Sequence, residues 1–518
     1  MVNIGDFVTR NAFRVPGGDA CIDPDTGRRT THQRLADRVN RLANALLGEL
    51  GLSPGDRVTM LSRNCAEYLE LYYAAAKSGI IAQPLNWRLA VPELQSIIED
   101  GDPRLLIYHG DFDAELEQLQ RELDVEGWLR FEPGEPSAYE DLLARSSAEE
   151  PSIASRLGDD DPLFILYSGG TTGVAKGALH THRTTFASMV NQNAIERVQP
   201  TDVYLLLGQM FHIPVVLAMN FLSHGRPVVL LNFEPRRTLE VIEEERVSGF
   251  LGVTTMLNYL LAEDLDKYDL SSLRLVQYGG GPMGEDVVRE ALARLPCGLM
   301  QGYGQTEGGP MTFLSAEVHA AAAAGHDTHR LRSCGQEAYL SSLRVVDEQG
   351  RLVPQDRTSV GEIVTNSEAN MDRYWNRPAL TAETLVDGWL HTGDLAVWDE
   401  EGFLYIVDRK KDMIISGGEN IFPAQVENVL YKHPAVLEAA VFGVPDPVWG
   451  EAVKAVVALK PGAEVTEAEL IELARSHLAS YQKPKSVDFV EELPKSSTGK
   501  LLKRELRDPY WEDSSRRV

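Results

Sequence analysis

A loop rich in glycine and hydroxyl groups lies at residues 167–177, directly after the apolar residues 163–166. Its sequence is Tyr-Ser-Gly-Gly-Thr-Thr-Gly-Val-Ala-Lys-Gly. Glycine lets a backbone come close to an anion, hydroxyl groups donate hydrogen bonds, and lysine adds a positive charge. The loop therefore predicts a site for the phosphate groups of a nucleotide. The residues that we predict to bind them are Ser168, Gly170, Thr171, Thr172, Gly173 and Lys176.

This loop differs from the common P-loop of nucleotide-binding proteins. The P-loop pattern has a glycine directly before its lysine, whereas Ala175 stands there in this chain. A flexible connector that binds nothing is the alternative interpretation of the loop when it is taken alone.

A second glycine-rich segment, at residues 279–284, follows the apolar strand predicted at residues 273–277. It formally matches the pattern G-x-G-x-x-G, but Pro282 interrupts the match and no suitable acid follows about 20 residues later, so dinucleotide binding is disfavoured. We expect Gly279, Gly280 and Gly281 to let a flat ring approach the backbone, with a purely structural turn as the alternative.

Residues 301–307 combine an aromatic ring, a hydroxyl group and a carboxylate. Tyr303 lies between Gly302 and Gly304, and its ring can cover one face of a purine. Thr306 can donate to a phosphate, and Glu307 can hold Mg²⁺ through its oxygen atoms. A solvated surface acid is the alternative interpretation of Glu307.

Three segments near the C-terminus add charged groups. Asp394 and Arg409 flank a predicted strand at residues 403–407, and together they suit the vicinal hydroxyl groups of a sugar, with an ordinary salt bridge as the alternative. Residues 416–420 form another glycine turn. Lys500 directly follows a glycine in a basic loop, from which it could swing into a cleft, although most such lysines are simply solvated.

Composition excludes several functional classes. The 518 residues include 50 basic and 77 acidic side chains, and the resulting net charge of −27 argues against nucleic acid or an anionic membrane as a partner. The four cysteines lie far apart without a CxxC pair, which indicates neither zinc nor a disulfide framework. We see no apolar run near the roughly 18 residues of a membrane span and no secretory signal, so the sequence predicts a cytoplasmic protein.

Strands and helices alternate along most of the chain, which predicts a large α/β domain with parallel sheets over residues 1–408. A different pattern over residues 409–518 predicts a separate small α+β domain. The strands predicted for the large domain include residues 57–61, 80–85, 104–108, 203–207 and 227–231, with helices at 66–76 and 93–100. Those predicted for the small domain are strands at 435–444, 453–459 and 487–490 and helices at 425–431 and 467–479.

The order of these motifs, from about Pro84 to Lys500, resembles the adenylate-forming superfamily of acyl-CoA synthetases, aryl-CoA ligases, peptide-synthetase adenylation domains and luciferases. Residues 168–176 resemble the family's Thr-Ser-Gly-Thr-Thr-Gly-x-Pro-Lys phosphate loop. Gly169 and Ala175 depart from the usual Ser and Pro of that loop. Loss of one charge-assisted hydrogen bond, worth roughly 1.5–3 kcal/mol, would weaken the handling of ATP or pyrophosphate.

The resemblance also implies roles for the other motifs. Asp394 and Arg409 would bind ribose, Glu307 would hold Mg²⁺, and Lys500 would contact the carboxylate and the α-phosphate. Lys411 would be the hinge between the two domains. The turn formed by Gly417, Gly418 and Glu419 would line the tunnel for coenzyme A.

The acid pocket is implied by Phe211, His212 and Ile213, which resemble the family's gate beside the acyl site; a satisfied core histidine is the alternative for His212. The pocket segments contain no Arg or Lys, which disfavours a dicarboxylate because its second charge would be unpaired. The remaining residues assigned to the pocket are Val215, Val216, Gly281, Gly304, Gly309, Pro310 and Met311.

The function that the resemblance implies is an acid-CoA ligase that uses ATP, Mg²⁺ and coenzyme A. Its substrate would be a hydrophobic monocarboxylic acid, either aromatic or a medium-to-long-chain fatty acid, and its oligomeric state would be a monomer or a homodimer. The alternatives are a free-standing adenylation enzyme that loads a carrier protein, an oxidoreductase based on residues 279–284, and a non-catalytic nucleotide-binding protein.

Overall fold

The computed structural model describes residues 2–133, 136–168, 175–281, 283–495 and 501–511. These residues form two compact units. The first unit contains most of residues 1–343 together with residues 365–390, and the second contains residues 344–364 and the chain from residue 391 onward. Residues 391–408 thus cluster with the second unit, and the functional division between residues 408 and 409 stays a prediction.

The strands of the first unit form two sheets whose central strands are parallel. In one sheet the order is β15-β14-β13-β12-β11-β9-β10-β1-β2, and in the other it is β18-β8-β7-β4-β3-β5-β6. Strands β1 to β15 and β18 are Asp19–Asp23, Arg28–Thr31, Arg57–Leu61, Ile81–Pro84, Leu105–His109, Gly127–Phe131, Pro162–Ser168, Lys176–Thr181, Tyr204–Leu206, Val228–Leu230, Gly249–Gly252, Leu275–Gly279, Gly298–Gln305, Gly309–Leu314, Gln336–Glu337 and, for β18, Arg373–Tyr374.

Helices cover these sheets, as expected where parallel strands are joined by crossover connections. Helix α3, at Ala66–Ser78, is buried on all sides. Most of its residues are apolar, and its buried Glu67 and Glu70 are paired with Arg28 and Arg38. It ends at Gly79, whose φ of 74° is the left-handed conformation that glycine adopts freely. Helices α1 to α13 are Asp6–Arg14, His32–Asn44, Ala66–Ser78, Val91–Gly101, Asp113–Glu122, Ala138–Arg145, His182–Glu196, Pro214–Ser223, Pro235–Glu244, Thr254–Ala262, Glu285–Arg294, Ala316–Ala323 and Pro378–Thr384.

Each sheet has an antiparallel edge, and these edges carry the motifs that the sequence singled out. Strands β7 and β8 pair antiparallel, with Ser168 opposite Lys176. Strands β13 and β14 also form an antiparallel pair, with Gly304 opposite Pro310. The predicted α/β class with parallel sheets is therefore confirmed, and the candidate site lies where the parallel order gives way to antiparallel hairpins.

A sheet that lies mainly in the second unit includes β16, β17 and β20 in that order, with β21 paired to β20. A further sheet has the order β23-β22-β25-β24, with β26 parallel to β25, and packs against α14 and α15 as the predicted α+β pattern requires. Strands β16, β17 and β19 to β26 are Ser341–Val346, Gly361–Ser367, Leu385–Val386, Trp389–Trp398, Leu404–Arg409, Ile414–Ser416, Glu419–Ile421, Val436–Asp446, Gly450–Leu459 and Ser486–Val490, and helices α14 to α16 are Pro423–Leu430, Glu467–His477 and Lys503–Trp511.

Candidate active site

The carboxylate of Glu307 is the centre of the candidate site in the first unit. Tyr374 donates its hydroxyl hydrogen to Glu307 Oε1 at 2.8 Å, and Ser168 Oγ lies 3.4 Å from the same oxygen. Lys176 Nζ lies 5.7 Å from the centre of the Tyr374 ring. Ser168 and Tyr374 therefore both contact Glu307, and Lys176 lies near the Tyr374 ring. The sequence analysis missed Tyr374, and the roles of Ser168, Lys176 and Glu307 stay predictions.

Five of the predicted site residues lie outside the described part of the chain: Gly170, Thr171, Thr172, Gly173 and Lys500. Their roles stay predictions from the sequence. The flanking positions are described, because Ser168 ends β7 and Lys176 begins β8. The antiparallel pairing of β7 with β8 places Ser168 opposite Lys176, so the two described ends of the predicted phosphate loop lie side by side.

The donor atoms around Glu307 fit a Mg²⁺ ion bound together with phosphates. Magnesium commonly uses one or two carboxylates and completes its shell with substrate phosphates and water. Within the described residues, no group of three or more His, Cys, Asp or Glu side chains could hold a metal by itself. Glu307 is a half-buried carboxylate, and one such carboxylate can hold a metal whose other ligands are phosphate and water.

The backbone of Thr306 is fixed by a buried histidine. His180 Nε2 lies 2.8 Å from the Thr306 carbonyl oxygen, and His180 Nδ1 lies 3.2 Å from Thr184 Oγ1. Burial lowers the pKa of His180 to about 4, so the ring is neutral near pH 7. Since a carbonyl only accepts, Nε2 must carry the hydrogen. Contact of the Thr306 hydroxyl with phosphate stays a prediction.

Close backbone packing explains two of the predicted glycines. A Cβ at Gly279 would lie 2.3 Å from the carbonyl oxygen of Gly302, its partner on β13. A Cβ at Gly304 would lie 2.1 Å from the carbonyl oxygen of Gly309. The structural interpretation of these glycines therefore holds, and contact of Gly279, Gly280, Gly281 or Gly302 with a nucleotide ring stays a prediction.

Tyr303 lies half-buried on β13 and packs against a cluster of buried apolar residues that includes Tyr374. The other members of the cluster are Ala178, Met311, Met371 and Leu390. The predicted adenine-stacking residue and the residue that contacts Glu307 therefore belong to one packed group.

The segments predicted to form the acid pocket are apolar and mostly buried. Phe211 is buried, and His212 and Ile213 at the start of α8 are half-buried. Val215 and Val216 are part of the main core of the first unit. Gly309 has a φ of 59°, and a Cβ there would lie 2.6 Å from Ser188 Oγ. Contact of these residues, or of Pro310, with an acid stays a prediction.

In the second unit, Asp394 on β20 and Arg409 on β21 are direct partners across antiparallel strands. Arg409 Nε lies 3.0 Å from Asp394 Oδ1, and the Asp394 side chain is 6% exposed. The salt bridge proposed as the alternative is therefore present. Ribose binding by the same pair stays a prediction.

Glu362 supports the backbone of β20 next to Asp394, and the sequence analysis missed it. Its carboxylate accepts from the Gly393 amide at 3.1 Å and from Lys410 Nζ at 3.1 Å. Although burial acts to raise it, the pKa of Glu362 is lowered by Lys410, His391 and the Gly393 amide. No local sequence pattern marks Glu362, because its partners lie 29 to 48 residues away.

The predicted coenzyme A turn is a tight hairpin between β22 and β23. Gly417 and Gly418 have φ values of 62° and 86°, which suit the two central residues of a type I′ turn. Gly417 N donates to the Trp449 carbonyl at 2.8 Å, and the Trp449 side chain is 52% exposed. Glu419 and Lys411 are exposed as well. The hairpin explains both glycines, while the tunnel and the hinge stay predictions.

No helix in the described ranges has the length and apolar character needed to cross a bilayer.

Comparison with known proteins gives consistent matches along the whole chain. The family model described as AMP-binding enzyme matches residues 8–375, and the model for the AMP-binding enzyme C-terminal domain matches residues 425–500. A feruloyl-CoA synthase from Amycolatopsis sp is 38% identical over 508 residues, which cover 97% of this chain and 98% of that protein.

Two further matches extend the range of similar proteins. A fatty acid–[acyl-carrier-protein] ligase from Streptomyces coeruleorubidus is 35% identical, with 95% of this chain and 94% of that protein covered. Among solved structures, a Mycobacterium tuberculosis fatty acyl CoA synthetase matches with a TM-score of 0.79 and 33% identity, covering 98% of both chains.

Proposed function

This chain belongs to the family of AMP-binding enzymes, and we propose that it is an acid-CoA ligase. The enzyme activates a hydrophobic monocarboxylic acid with ATP to give an acyl-adenylate and pyrophosphate. It then transfers the acyl group to coenzyme A and releases AMP. The observation that carries the proposal is that Ser168 and Tyr374 both contact the Glu307 carboxylate, while Lys176 Nζ lies 5.7 Å from the centre of the Tyr374 ring.

The first step needs positive charge, because a carboxylate and a triphosphate repel each other. A carboxylate oxygen forms a bond to the α-phosphorus of ATP, and the bond from that phosphorus to the bridging oxygen of pyrophosphate breaks. Lys176 offsets charge on the phosphates from one side, and Lys500 contacts the reacting carboxylate and α-phosphate. Mg²⁺ held by Glu307 would neutralise further negative charge as the pyrophosphate leaves.

The second step needs access for a thiol. The sulfur of coenzyme A bonds to the acyl carbon, the bond from that carbon to the AMP oxygen breaks, and the thiol gives up its proton. Lys500 serves the first step and the turn at residues 417–419 the second, so we propose that rotation near Lys411 exchanges them. Hinge motion of this kind is a known mode of domain rearrangement.

The acid is proposed from the apolar character of the pocket segments. Residues 211–216, 279–281 and 309–311 contain no lysine or arginine that could pair with a second carboxylate. Two matched proteins are named for feruloyl-CoA and for fatty acyl-CoA synthesis. We therefore propose either a hydroxycinnamate-type aromatic acid or a medium-to-long-chain fatty acid as the substrate.

An acid panel tests this function. Pyrophosphate and AMP release are measured with acetate, octanoate, palmitate, benzoate and ferulate, each with and without coenzyme A. We expect AMP release that depends on coenzyme A with ferulate, octanoate or palmitate. Activity with acetate alone would reject the acid class, and ATP binding without pyrophosphate release from any acid would reject the reaction.

Transfer to a carrier protein is the second candidate function, because one matched protein is named as a fatty acid–[acyl-carrier-protein] ligase. To test it, thioester formation is measured with coenzyme A and with a phosphopantetheinylated carrier protein at equal concentrations. Faster transfer to the carrier would favour this alternative.

We also propose a cytoplasmic location and a monomeric or homodimeric state. The four cysteines are free thiols, and Cys21, Cys65 and Cys334 are buried. Such usage suits a reducing compartment. Cell fractionation and sedimentation of the purified protein test the two statements separately.

A further inference from the structure

We propose that Tyr374 is a positioning residue for the adenylation site, which orients the Glu307 carboxylate through its hydroxyl group and confines the Lys176 ammonium with its ring. This inference rests on the proposed function, because it assigns Glu307 to the metal and Lys176 to the phosphates. Tyr374 itself would touch neither the substrate nor the metal.

The hydroxyl contact fixes one oxygen of the carboxylate. Tyr374 donates to Glu307 Oε1 at 2.8 Å, and Ser168 Oγ lies 3.4 Å from the same atom. Both hydrogen bonds are made to the same carboxylate oxygen, Oε1. A carboxylate held by one oxygen presents its other oxygen in a defined direction, which is what a metal with strict octahedral geometry requires.

The position of Tyr374 is set by the backbone around it. Its strand β18 pairs with β8, so that Tyr374 lies opposite Ala178, two residues beyond Lys176. The next residue continues the pairing, because the Trp375 amide donates to the Gly177 carbonyl at 2.7 Å. Tyr374 is only 5% exposed and packs with Ala178 and Met311. A side chain held in this way has little freedom to leave Glu307.

The ring faces the lysine of the predicted phosphate loop. Lys176 Nζ lies 5.7 Å from the ring centre, within the range of a cation–π contact. A lysine has a long side chain with many rotamers, and a fixed aromatic face limits where its ammonium can lie. One tyrosine therefore restrains both the anionic and the cationic group of the site.

Metal binding, and not only activity, tests the proposal. Electron paramagnetic resonance measures the affinity of Mn²⁺ for the full chain saturated with ATP. In Tyr374→Phe we expect Mn²⁺ affinity to fall about tenfold, since one hydrogen bond to a charged group is lost, while metal-free ATP binds as in the wild type. In Tyr374→Leu, which also removes the ring, metal-free ATP should bind several-fold more weakly than in Tyr374→Phe.

Tyr139→Phe is the matched control. Tyr139 is buried, and its hydroxyl donates to Glu70 Oε2 at 2.7 Å, so it has the same chemistry as Tyr374 but no proposed contact with the site. Tyr139→Phe should leave Mn²⁺ affinity unchanged, even if it lowers the unfolding temperature as much as Tyr374→Phe does.

A double-mutant cycle separates orientation of the Glu307 carboxylate from a general loss of structure. If Tyr374 acts through Glu307, its replacement by Phe should have no further effect on Mn²⁺ affinity in a Glu307→Gln background. Unchanged Mn²⁺ affinity in Tyr374→Phe, or an equal loss in both backgrounds, overturns the proposal. Failure of the wild-type enzyme to release pyrophosphate with any acid would instead reject the proposed function, which the binding measurements do not test.

Discussion

Asp394 and Arg409 face each other across an antiparallel strand pair, and Arg409 Nε lies 3.0 Å from Asp394 Oδ1. The carboxylate is buried while the guanidinium is 44% exposed. The same pair has the groups that a sugar site needs, because carboxylate oxygens accept hydrogen bonds from hydroxyl groups and a guanidinium carries several N–H donors. A salt bridge and a ribose site are therefore compatible in this geometry.

Replacement of Asp394 by Asn tests ribose binding. The variant keeps the shape of the side chain but removes its charge, so we expect the KM for ATP to rise about tenfold or more. The loss should be smaller for an ATP analogue that lacks the ribose hydroxyl groups. The kinetics of pyrophosphate release with ATP and with the analogue measure both effects.

Glu472→Gln provides the control for this prediction. Glu472 and Arg475 form an ion pair of 2.7 Å on the surface of α15, in the same unit as Asp394. Exposed pairs contribute little, so this variant should bind ATP like the wild type. If Asp394→Asn raises the KM for ATP and the KM for the analogue by the same factor, ribose recognition by Asp394 is contradicted.

Strongly patterned elements could be predicted from the sequence. Strand β3 has the predicted bounds of residues 57–61, and α3 runs from Ala66 to Ser78 where residues 66–76 were predicted. Apolar runs between turn residues carry that information locally. The two segments of the Glu307 site were also recognised, since Ser168 and Glu307 each lie in a distinctive motif.

Contacts set by long-range pairing could not be predicted. Strand β18 has two residues, and its partner β8 lies almost 200 positions earlier in the chain. Nothing in the local sequence around Tyr374 specifies that register, so its contact with Glu307 emerges only from the folded sheet. Glu362 is a similar case, because its partner Lys410 lies 48 residues away, directly after the end of β21.

Replacement of Lys500 by Ala separates the two half-reactions. Lys500 is predicted to stabilise charge only while the acyl-adenylate forms, so Lys500→Ala should lose nearly all adenylation. It should still form thioester from supplied acyl-adenylate and coenzyme A. Lys495→Ala is the control, because Lys495 belongs to the same basic segment but pairs with Glu438 at 2.8 Å. A comparable decrease in both half-reactions would count against the assignment.

Replacement of His180 by Leu should weaken the support of Thr306. The variant leaves a buried carbonyl without its donor, which costs about 1–3 kcal/mol of stability at pH 7. We also expect a higher KM for the Mg²⁺ complex of ATP, because the peptide before Glu307 loses its fixed position. Urea unfolding and pyrophosphate release give the two quantities.

The same variant has a defined pH dependence. The pKa of His180 is lowered to about 4 in the folded protein, from an unfolded value of 6.5. The unfolded chain therefore binds the proton first, and the wild type loses stability as pH falls from about 7 toward 4. His180→Leu has no such group. The difference in free energy of unfolding between the wild type and this variant should therefore shrink by about 2 kcal/mol between pH 7 and pH 5. A constant deficit would show that the histidine is not buried and neutral.

Glu196 should make folding stability depend on pH in the direction opposite to that of His180. This buried carboxyl group lies at the end of α7 and accepts from Asn220 Nδ2 at 3.1 Å. Burial raises its pKa to about 8, although Asn220, Gln192 and Arg274 act to lower it. The folded protein thus holds a proton that the unfolded chain releases above pH 4.5, and stability is lost as pH rises from about 4.5 toward 8.

Glu196→Gln should remove this cost, since an amide is neutral at every pH and can still accept from Asn220. We expect the variant to gain about 3 kcal/mol relative to the wild type between pH 5 and pH 7.5. Urea unfolding at the two pH values measures the gain. Glu243→Gln, at an exposed position on α9, should differ from the wild type by less than about 0.5 kcal/mol at both. If Glu196→Gln is no more stabilising at pH 7.5 than at pH 5, the carboxyl group is ionised in the folded protein and must have a cationic partner.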